Sequence, residues 1–192
     1  MSQTLESIVS ACGGNLSHVS YKAIKKVTTH VPTIAPEVSK KRENIIKWIY
    51  DGHKPLVNSP AAKYLRSRGI KGDLSKYAHV LKFHPKLGYK EDDEADWEYY
   101  GGMIAKIYDS KCKPLTLHRT YLKHDGSGKA AVSNPKMMLA PPRDVRGGFI
   151  PLCKPHLDGQ NGLIGVAEGI ETAISCHEAT RVPMWAGISD RL

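Results

Sequence analysis

The pattern of apolar positions predicts two helices in the first half of the chain. Apolar residues recur at helical spacing over Pro36–Asp51, and the proline at the start of this range suits the first turn of a helix. A second helix is predicted to begin after a Ser59 cap and to end at Gly69. Residues 1–35 are predicted to form a short helix and a linker at the periphery.

Beyond residue 79 the apolar runs become shorter and predict strands. The runs lie at residues 80–83, 102–108, 115–122, 136–139 and 148–152. A turn containing Asp125 and Gly126 follows the third run. We expect these strands to form a small antiparallel sheet that packs beside the helices.

The last part of the chain predicts a strand, a helix and a second strand. The predicted ranges are 163–167, 170–180 and 182–187, and they suit a parallel pair with a right-handed crossover. Glu168 would then lie at the carboxyl end of the first strand, where open α/β sheets bind their ligands. A carboxylate that only caps the following helix is the alternative explanation of this residue.

Together these patterns predict an α+β fold in which N-terminal helices and a small antiparallel sheet are joined to a partial α/β unit. The predicted divisions are a peripheral segment at 1–35, a helical and antiparallel region at 36–160, and an incomplete α/β unit at 161–192. The sequence has no apolar stretch near the roughly eighteen residues of a membrane span, and no secretory leader. We therefore expect a cytoplasmic protein.

The positive charge of the chain is concentrated in one segment. Residues 22–72 contain twelve Lys or Arg residues and three carboxylates, a net charge equal to the +9 of the whole chain. Clustered cations favour nucleic-acid binding through counterion release, although a solvated helix surface would have the same composition. Aromatic residues that suit base stacking, or alternatively the core, accompany these charges: Tyr21, Trp48, Tyr50 and Tyr64.

The other polar clusters predict no catalytic or metal chemistry. Six carboxylates fall within residues 91–98, which we interpret as an exposed loop, because the segment lacks the pattern of a calcium loop. The four cysteines are Cys12, Cys112, Cys153 and Cys176. Their spacing does not suit a zinc site, so we expect free thiols and no zinc.

Several motifs in the chain resemble those of a known family. The string GLIGVAEGIETAISCHEATRVPMWAGIS resembles the opening of a Toprim domain, in the version found in phage and plasmid primase-helicases. The resemblance continues upstream, in the order used by such primase regions, through SPAAKYLRSRGI, LKFHP, HRTYL with a later Asp-Gly, KMML and Gly-Gly. It covers about residues 36–189.

The resemblance implies a primase-type protein that transfers nucleotides. It implies Glu168 as the catalytic and Mg²⁺-binding glutamate, with Glu171 as a second catalytic candidate. The implied nucleic-acid-binding residues are Lys63, Arg66, Arg68, Lys71, Arg119 and Lys136. The implied partners are single-stranded DNA or another template, and a helicase or another replication protein. A Toprim domain pairs its glutamate with an Asp-x-Asp motif on a later strand, and no such triplet follows Glu168 in this sequence.

Two functions remain open at this point. One is a primase whose active site is completed by an Asp-x-Asp segment, with Mg²⁺ bound at the carboxylates. The other is a non-catalytic module that binds nucleic acid or a partner and recruits or inhibits a replication or host-defence complex. Arg119 also has two interpretations, phosphate binding or pairing with the acidic loop. It follows His118 on a predicted strand, so only one of the two side chains can face a given cleft.

Overall fold

The structure is a computed structural model that describes residues 34–158 and 161–187. These residues form the mixed α+β fold that the sequence predicts, with helices, a four-stranded antiparallel sheet and a smaller parallel pair. The short peripheral helix predicted before residue 35, and also Tyr21 and Cys12, lie outside the described residues.

Both predicted helices of the first half are present. Helix α1 spans Pro36–Asp51, as expected from the proline in its first turn. Helix α2 spans Pro60–Ser67, and the Ser59 hydroxyl accepts a hydrogen bond from the backbone N–H of Ala62 at 3.3 Å. Gly69 follows the end of α2 with φ +84°, a left-handed conformation that glycine adopts without strain.

Four antiparallel strands form the main sheet in the order β1-β2-β3-β4. They span Leu81–Tyr89, Glu98–Tyr108, Pro114–Tyr121 and Lys136–Met138. Strand β1 is longer than its predicted range because it continues past Pro85 through a bulge between His84 and Leu87. A bulge accommodates proline without the ladder hydrogen bond that proline cannot donate.

The C-terminal part forms the predicted strand-helix-strand unit. Strands β5 (His156–Asp158) and β6 (Asn161–Leu163) make a short antiparallel pair. Strand β7 (Gly165–Ala167), helix α3 (Ile170–Thr180) and strand β8 (Met184–Ala186) follow, and β7 pairs with β8 in parallel.

The predicted strand at 148–152 is replaced by two single bridges. Phe149 pairs with Tyr108 of β2, and Ile150 pairs with Ala186 of β8. The backbone makes hydrogen bonds of 2.8–3.0 Å in both bridges. The segment forms no continuous strand because it pairs at one residue with the main sheet and at the next with the parallel pair of β7 and β8. These two bridges connect the main sheet with the parallel pair.

The main sheet is covered on both faces. On one face, α1 covers a small core that includes Ile49, Leu87, Ile104, Leu117 and Tyr121. On the other face, a larger core unites α2, the sheet and α3 through Tyr64, Leu65, Leu81, Met103, Ala173 and Ile174. This second core is continuous across residue 160, and the division predicted there stays a prediction.

Candidate functional site

The first turn of α3 is fixed by a carboxylate that two other segments contact. Glu171 accepts a hydrogen bond from the Tyr64 hydroxyl on Oε1 and another from Lys136 Nζ on Oε2, the latter at 2.9 Å. Tyr64 belongs to α2 and Lys136 to β4, so three distant segments meet at this side chain. We call Tyr64, Lys136 and Glu171 the anchor cluster.

Glu171 is ionised in this environment. Its side chain is 12% exposed, and burial raises its pKa, but the hydrogen bonds from Lys136 and Tyr64 act in the opposite direction and leave the pKa below its ordinary value. Burial and the neighbouring Glu171 raise the pKa of Tyr64, so its hydroxyl remains a donor. Because both carboxylate oxygens have donors, Glu171 holds the elements together and is not an open ligand.

Glu168 has the opposite character. It follows the last residue of β7 and precedes Gly169, which is the N-cap of α3. Its side chain is exposed and makes no hydrogen bond or ion pair within residues 34–158 and 161–187. The interpretation of Glu168 as a helix cap is therefore wrong, and its carboxylate oxygens are accessible at the carboxyl end of a parallel strand.

Arg68 lies beside the anchor cluster. It is the C-cap residue of α2, one turn after Tyr64. Its positive charge opposes the rise in the pKa of Tyr64 but is the smallest of the contributions. The side chain is exposed and forms no ion pair in the described part of the chain. Lys136, whose side chain is 37% exposed, is the second predicted cation that the fold brings to this position.

Two neutral polar residues of β3 face the same side of the sheet as Lys136. His118 is opposite Met138 and Thr120 is opposite Lys136, so both side chains point away from α1. Burial lowers the pKa of His118 to about 4, and the charge of Lys136 contributes, so the imidazole is neutral at pH 7. The buried Thr120 hydroxyl has no hydrogen-bond partner.

The resemblance implied that the strand of His118, Arg119 and Thr120 lies with Lys136 on the side that faces template or nucleotide. The structure brings His118 and Thr120, but not Arg119, to the face of Lys136, and the contact of Tyr64 with Glu171 was not predicted. The spacing of two residues between His118 and Thr120 on a strand was a usable signal that they share a face. No local signal connects Tyr64 with Glu171.

Arg119 lies on the opposite face of the sheet from Lys136, as the alternation along β3 requires. Its Nη1 donates to the carbonyl oxygen of Gly88 at 3.3 Å, and its guanidinium carbon lies 5.4 Å from the centre of the Tyr121 ring. Burial lowers its pKa, and its Nε has no partner. Arg119 therefore neither joins the other predicted cations nor pairs with the acidic loop.

The remaining predicted cations are exposed along α2 and the segment after it. Arg66 Nη1 donates to the carbonyl oxygens of Ile70 and Gly72, at 2.9 and 2.7 Å, and so closes the chain after the helix. The backbone N–H of Lys71 donates to Glu178 of α3 at 3.1 Å, and the Lys71 side chain is exposed. Lys63 is exposed on α2.

The other candidate features are also located by the structure. Five of the six acidic residues lie in an exposed loop between β1 and β2, as predicted, and the sixth, Glu98, is the exposed first residue of β2. Cys112, Cys153 and Cys176 are free thiols. Among the described residues, no group of three or more His, Cys, Asp or Glu side chains is arranged to hold a metal ion, and no helix is long and apolar enough to cross a membrane.

Comparison with known proteins places most of the chain in a protein family. The model of a family described as Domain of unknown function (DUF7146) matches residues 40–150, which is more than half of the chain. The matched range contains Arg68 and Lys136 and ends before Glu168. No curated protein and no solved structure matches the chain.

The environment of Glu171 predicts a stability that depends on pH. Because its folded-state pKa is depressed, its stabilising contribution is present above the unfolded-state pKa and is lost as the pH falls through the folded-state pKa. At pH 7 we expect Glu171→Gln to lower the free energy of unfolding by about 1–3 kcal/mol. Urea denaturation at pH 7 and in steps below pH 4.5 should show the difference from wild type shrinking with acidity.

Glu168→Gln is the matched control, since it removes the same charge from an exposed position without partners. We expect it to change stability by less than about 0.5 kcal/mol. An equal loss of stability in both variants would contradict the distinction between the two glutamates.

Proposed function

This chain belongs to the DUF7146 family, and we propose that it is a primase-type protein of a phage, plasmid or other mobile element. In this proposal it binds a nucleic-acid template and contributes Glu168 to metal-dependent nucleotidyl transfer. The observation that supports it best is the exposed Glu168, which follows β7 at its carboxyl end and has no partner among the described residues. It lies three residues before Glu171 of the anchor cluster. The proposed kinship with Toprim primases rests on the motifs around this turn, and the proposed compartment is the cytoplasm.

Glu168 is the residue that would hold Mg²⁺. In phosphoryl chemistry this ion usually takes one or two carboxylates together with phosphates and waters. The carboxylate of Glu168 has both oxygens available, which fits one such ligand, whereas the Glu171 oxygens are occupied by Tyr64 and Lys136. A bound Mg²⁺ would neutralise charge on the transferring phosphate.

The chain's own cations bind and orient the nucleic acid in this proposal. In the described residues, Arg68 forms no ion pair with a carboxylate that would compete with a phosphate. Its guanidinium group can donate two parallel hydrogen bonds to phosphate oxygens. Glu171 fixes the direction of Lys136, because an ion pair restricts a flexible ammonium group. Lys63, Arg66 and Lys71 extend the positive surface along α2, where they can follow a backbone.

A second candidate function is favoured by the occupied oxygens of Glu171. With that carboxylate engaged, the β7–α3 turn offers a single open carboxylate, which suits a module that binds nucleic acid without catalysis. Such a module would recruit or inhibit a replication or host-defence complex. A helicase or another replication protein is the expected protein partner in both cases.

The cationic surface predicts a salt-dependent affinity for single-stranded DNA. We expect a labelled oligo-dT to bind more weakly as salt rises, and Arg68→Ala to reduce the slope of log K against log salt by about 0.7, the value for one phosphate contact on a single strand. Fluorescence anisotropy at several salt concentrations measures both quantities.

Lys111→Ala serves as the control for this experiment, because Lys111 is an exposed lysine in the β2–β3 turn, away from α2. Its slope should equal that of wild type. Equal slopes for all three proteins would overturn the assignment of Arg68, and binding that is insensitive to salt would overturn the nucleic-acid proposal itself.

Catalysis is tested separately through Glu168. If the chain is a primase, Glu168→Gln should abolish Mg²⁺-dependent primer synthesis on a single-stranded template and leave oligo-dT binding intact, because the side chain has no structural contact. Gel analysis of labelled primers measures the activity. Full activity in this variant would refute the role of Glu168, and a wild-type protein that binds DNA equally well with EDTA but makes no primers would establish the binding module.

A further inference from the structure

Three lysines from two distant segments meet on one surface beside α2. Lys63 lies in the first turn of α2, whereas Lys123 and Lys129 flank the turn that follows β3. The two sides of this turn are paired through a bridge between Leu122 and Lys129. The backbone N–H of Lys123 also donates to the carbonyl oxygen of Gly128 at 2.9 Å. All three lysine side chains are exposed, and we call them the turn patch.

Gly126 fixes the turn against the start of α2. Its φ is +74°, and a Cβ atom at this position would lie 2.5 Å from the carbonyl oxygen of Pro60 and 3.0 Å from the Cβ of Lys63. The left-handed backbone and the close contact both require glycine. This packing holds Lys123 and Lys129 beside Lys63, although the two segments are far apart in the sequence.

The turn patch keeps most of its positive charge. None of its three lysines forms an ion pair within residues 34–158 and 161–187. The turn contains one carboxylate, that of Asp125, which accepts a hydrogen bond from the backbone N–H of Ser127 at 2.9 Å. Hydrogen bonds from Ser127 hold the pKa of Asp125 below its ordinary value, and the charge of Lys123 adds a smaller effect. Three ammonium groups against one carboxylate leave this surface positive.

The acidic loop is bound to the other face of the sheet. Its Glu91 and Glu98 accept hydrogen bonds from Tyr89 and Tyr100, which belong to the small core on the α1 face. Glu91 also contacts Ser133. The turn patch packs on α2, which covers the opposite face. In the described part of the chain, no carboxylate of the loop forms an ion pair with a lysine of the patch.

We propose that the turn patch binds phosphates of a single-stranded nucleic acid and extends the cationic surface of α2 past its N-terminal end. The turn contacts Pro60 at the first position of α2, Lys63 follows in the first turn, and Arg68 lies about 7.5 Å further along the helix axis. A single strand suits this row of cations, because its phosphates repeat regularly and each contact releases counterions. This inference rests on the proposed function, since it assigns further phosphate contacts to the same nucleic acid.

The test removes both charges of the turn at once. Lys123→Ala/Lys129→Ala should reduce the slope of log K against log salt for oligo-dT by about 1.4, because each phosphate contact on a single strand contributes about 0.7. Lys123→Arg/Lys129→Arg should keep the wild-type slope, since arginine retains the charge. Fluorescence anisotropy of a labelled oligo-dT at several salt concentrations measures these slopes.

Lys111→Ala/Lys113→Ala is the matched control. Both lysines are exposed in the β2–β3 turn, at the other end of β3 and roughly 23 Å away along the strand. This variant removes the same number of charges, so a diffuse effect of net charge would change both double variants equally. Its slope should equal that of the wild type. Equal reductions in the two double variants would overturn the proposal.

Gly126→Ala tests the position of the turn without removing a charge. The added Cβ must displace the turn from Pro60, so we expect a reduced slope although every lysine is present. Thermal denaturation checks the fold of each variant. A folded Gly126→Ala protein with the wild-type slope would contradict the packed arrangement on which the proposal depends. If this variant does not fold, the two double variants decide the question alone.

The outcomes distinguish this inference from the proposed function. A slope that falls in Arg68→Ala but not in Lys123→Ala/Lys129→Ala would overturn the role of the turn patch and leave the proposed function in place. A wild-type protein that does not bind oligo-dT at low salt would refute both proposals.

Discussion

The arrangement of the whole candidate site depends on the carboxylate of Glu171. It lies in the first turn of α3, but its two partners come from α2 and β4, and Tyr64 precedes it by 107 residues along the chain. Removing any one member would leave a partly buried polar group without its partner, which is costly in a low-dielectric environment. This single cluster therefore fixes where Glu168, Arg68 and the exposed turn lie relative to one another.

The two glutamates illustrate how similar residues three positions apart acquire different roles. Glu171 is held by donors, while Glu168 at the end of β7 is exposed and unpaired in the described structure. The sequence favours both as catalytic candidates, since both flank the same glycine. The structure distinguishes them by burial and hydrogen bonding: Glu171 is suited to holding elements in place and Glu168 to meeting a ligand.

The features predicted best from the sequence are those with local causes. The ends of α1 and α2 follow from proline, serine and glycine at defined positions, and the β7–α3–β8 unit follows from an apolar run and a glycine turn. The features missed have non-local causes. The sequence predicts that β1 ends before Pro85, because the bulge that accommodates this proline forms only when β1 pairs with β2. Residues 149–150 pair with strands of two different sheets, and the spacing of apolar residues does not predict such bridges. The contact of Tyr64 with Glu171 likewise depends on packing between distant segments.

The division of the sheet into two faces organises the candidate chemistry. Arg119 faces the α1 side and binds a backbone carbonyl, whereas Lys136 and His118 share the other face. In the described part of the chain, the anchored carboxylate of Glu171 therefore lies beside Lys136 and apart from Arg119.

The most direct test of this account is the pKa of Glu171, measured by ¹³C NMR of its side-chain carboxyl group in the wild-type protein and in Lys136→Met. The account predicts a value below 4.5 in the wild type and a higher one in the variant, because the ammonium that stabilises the carboxylate is removed. A wild-type pKa at or above 4.5, unchanged in Lys136→Met, would show that the anchor cluster does not form.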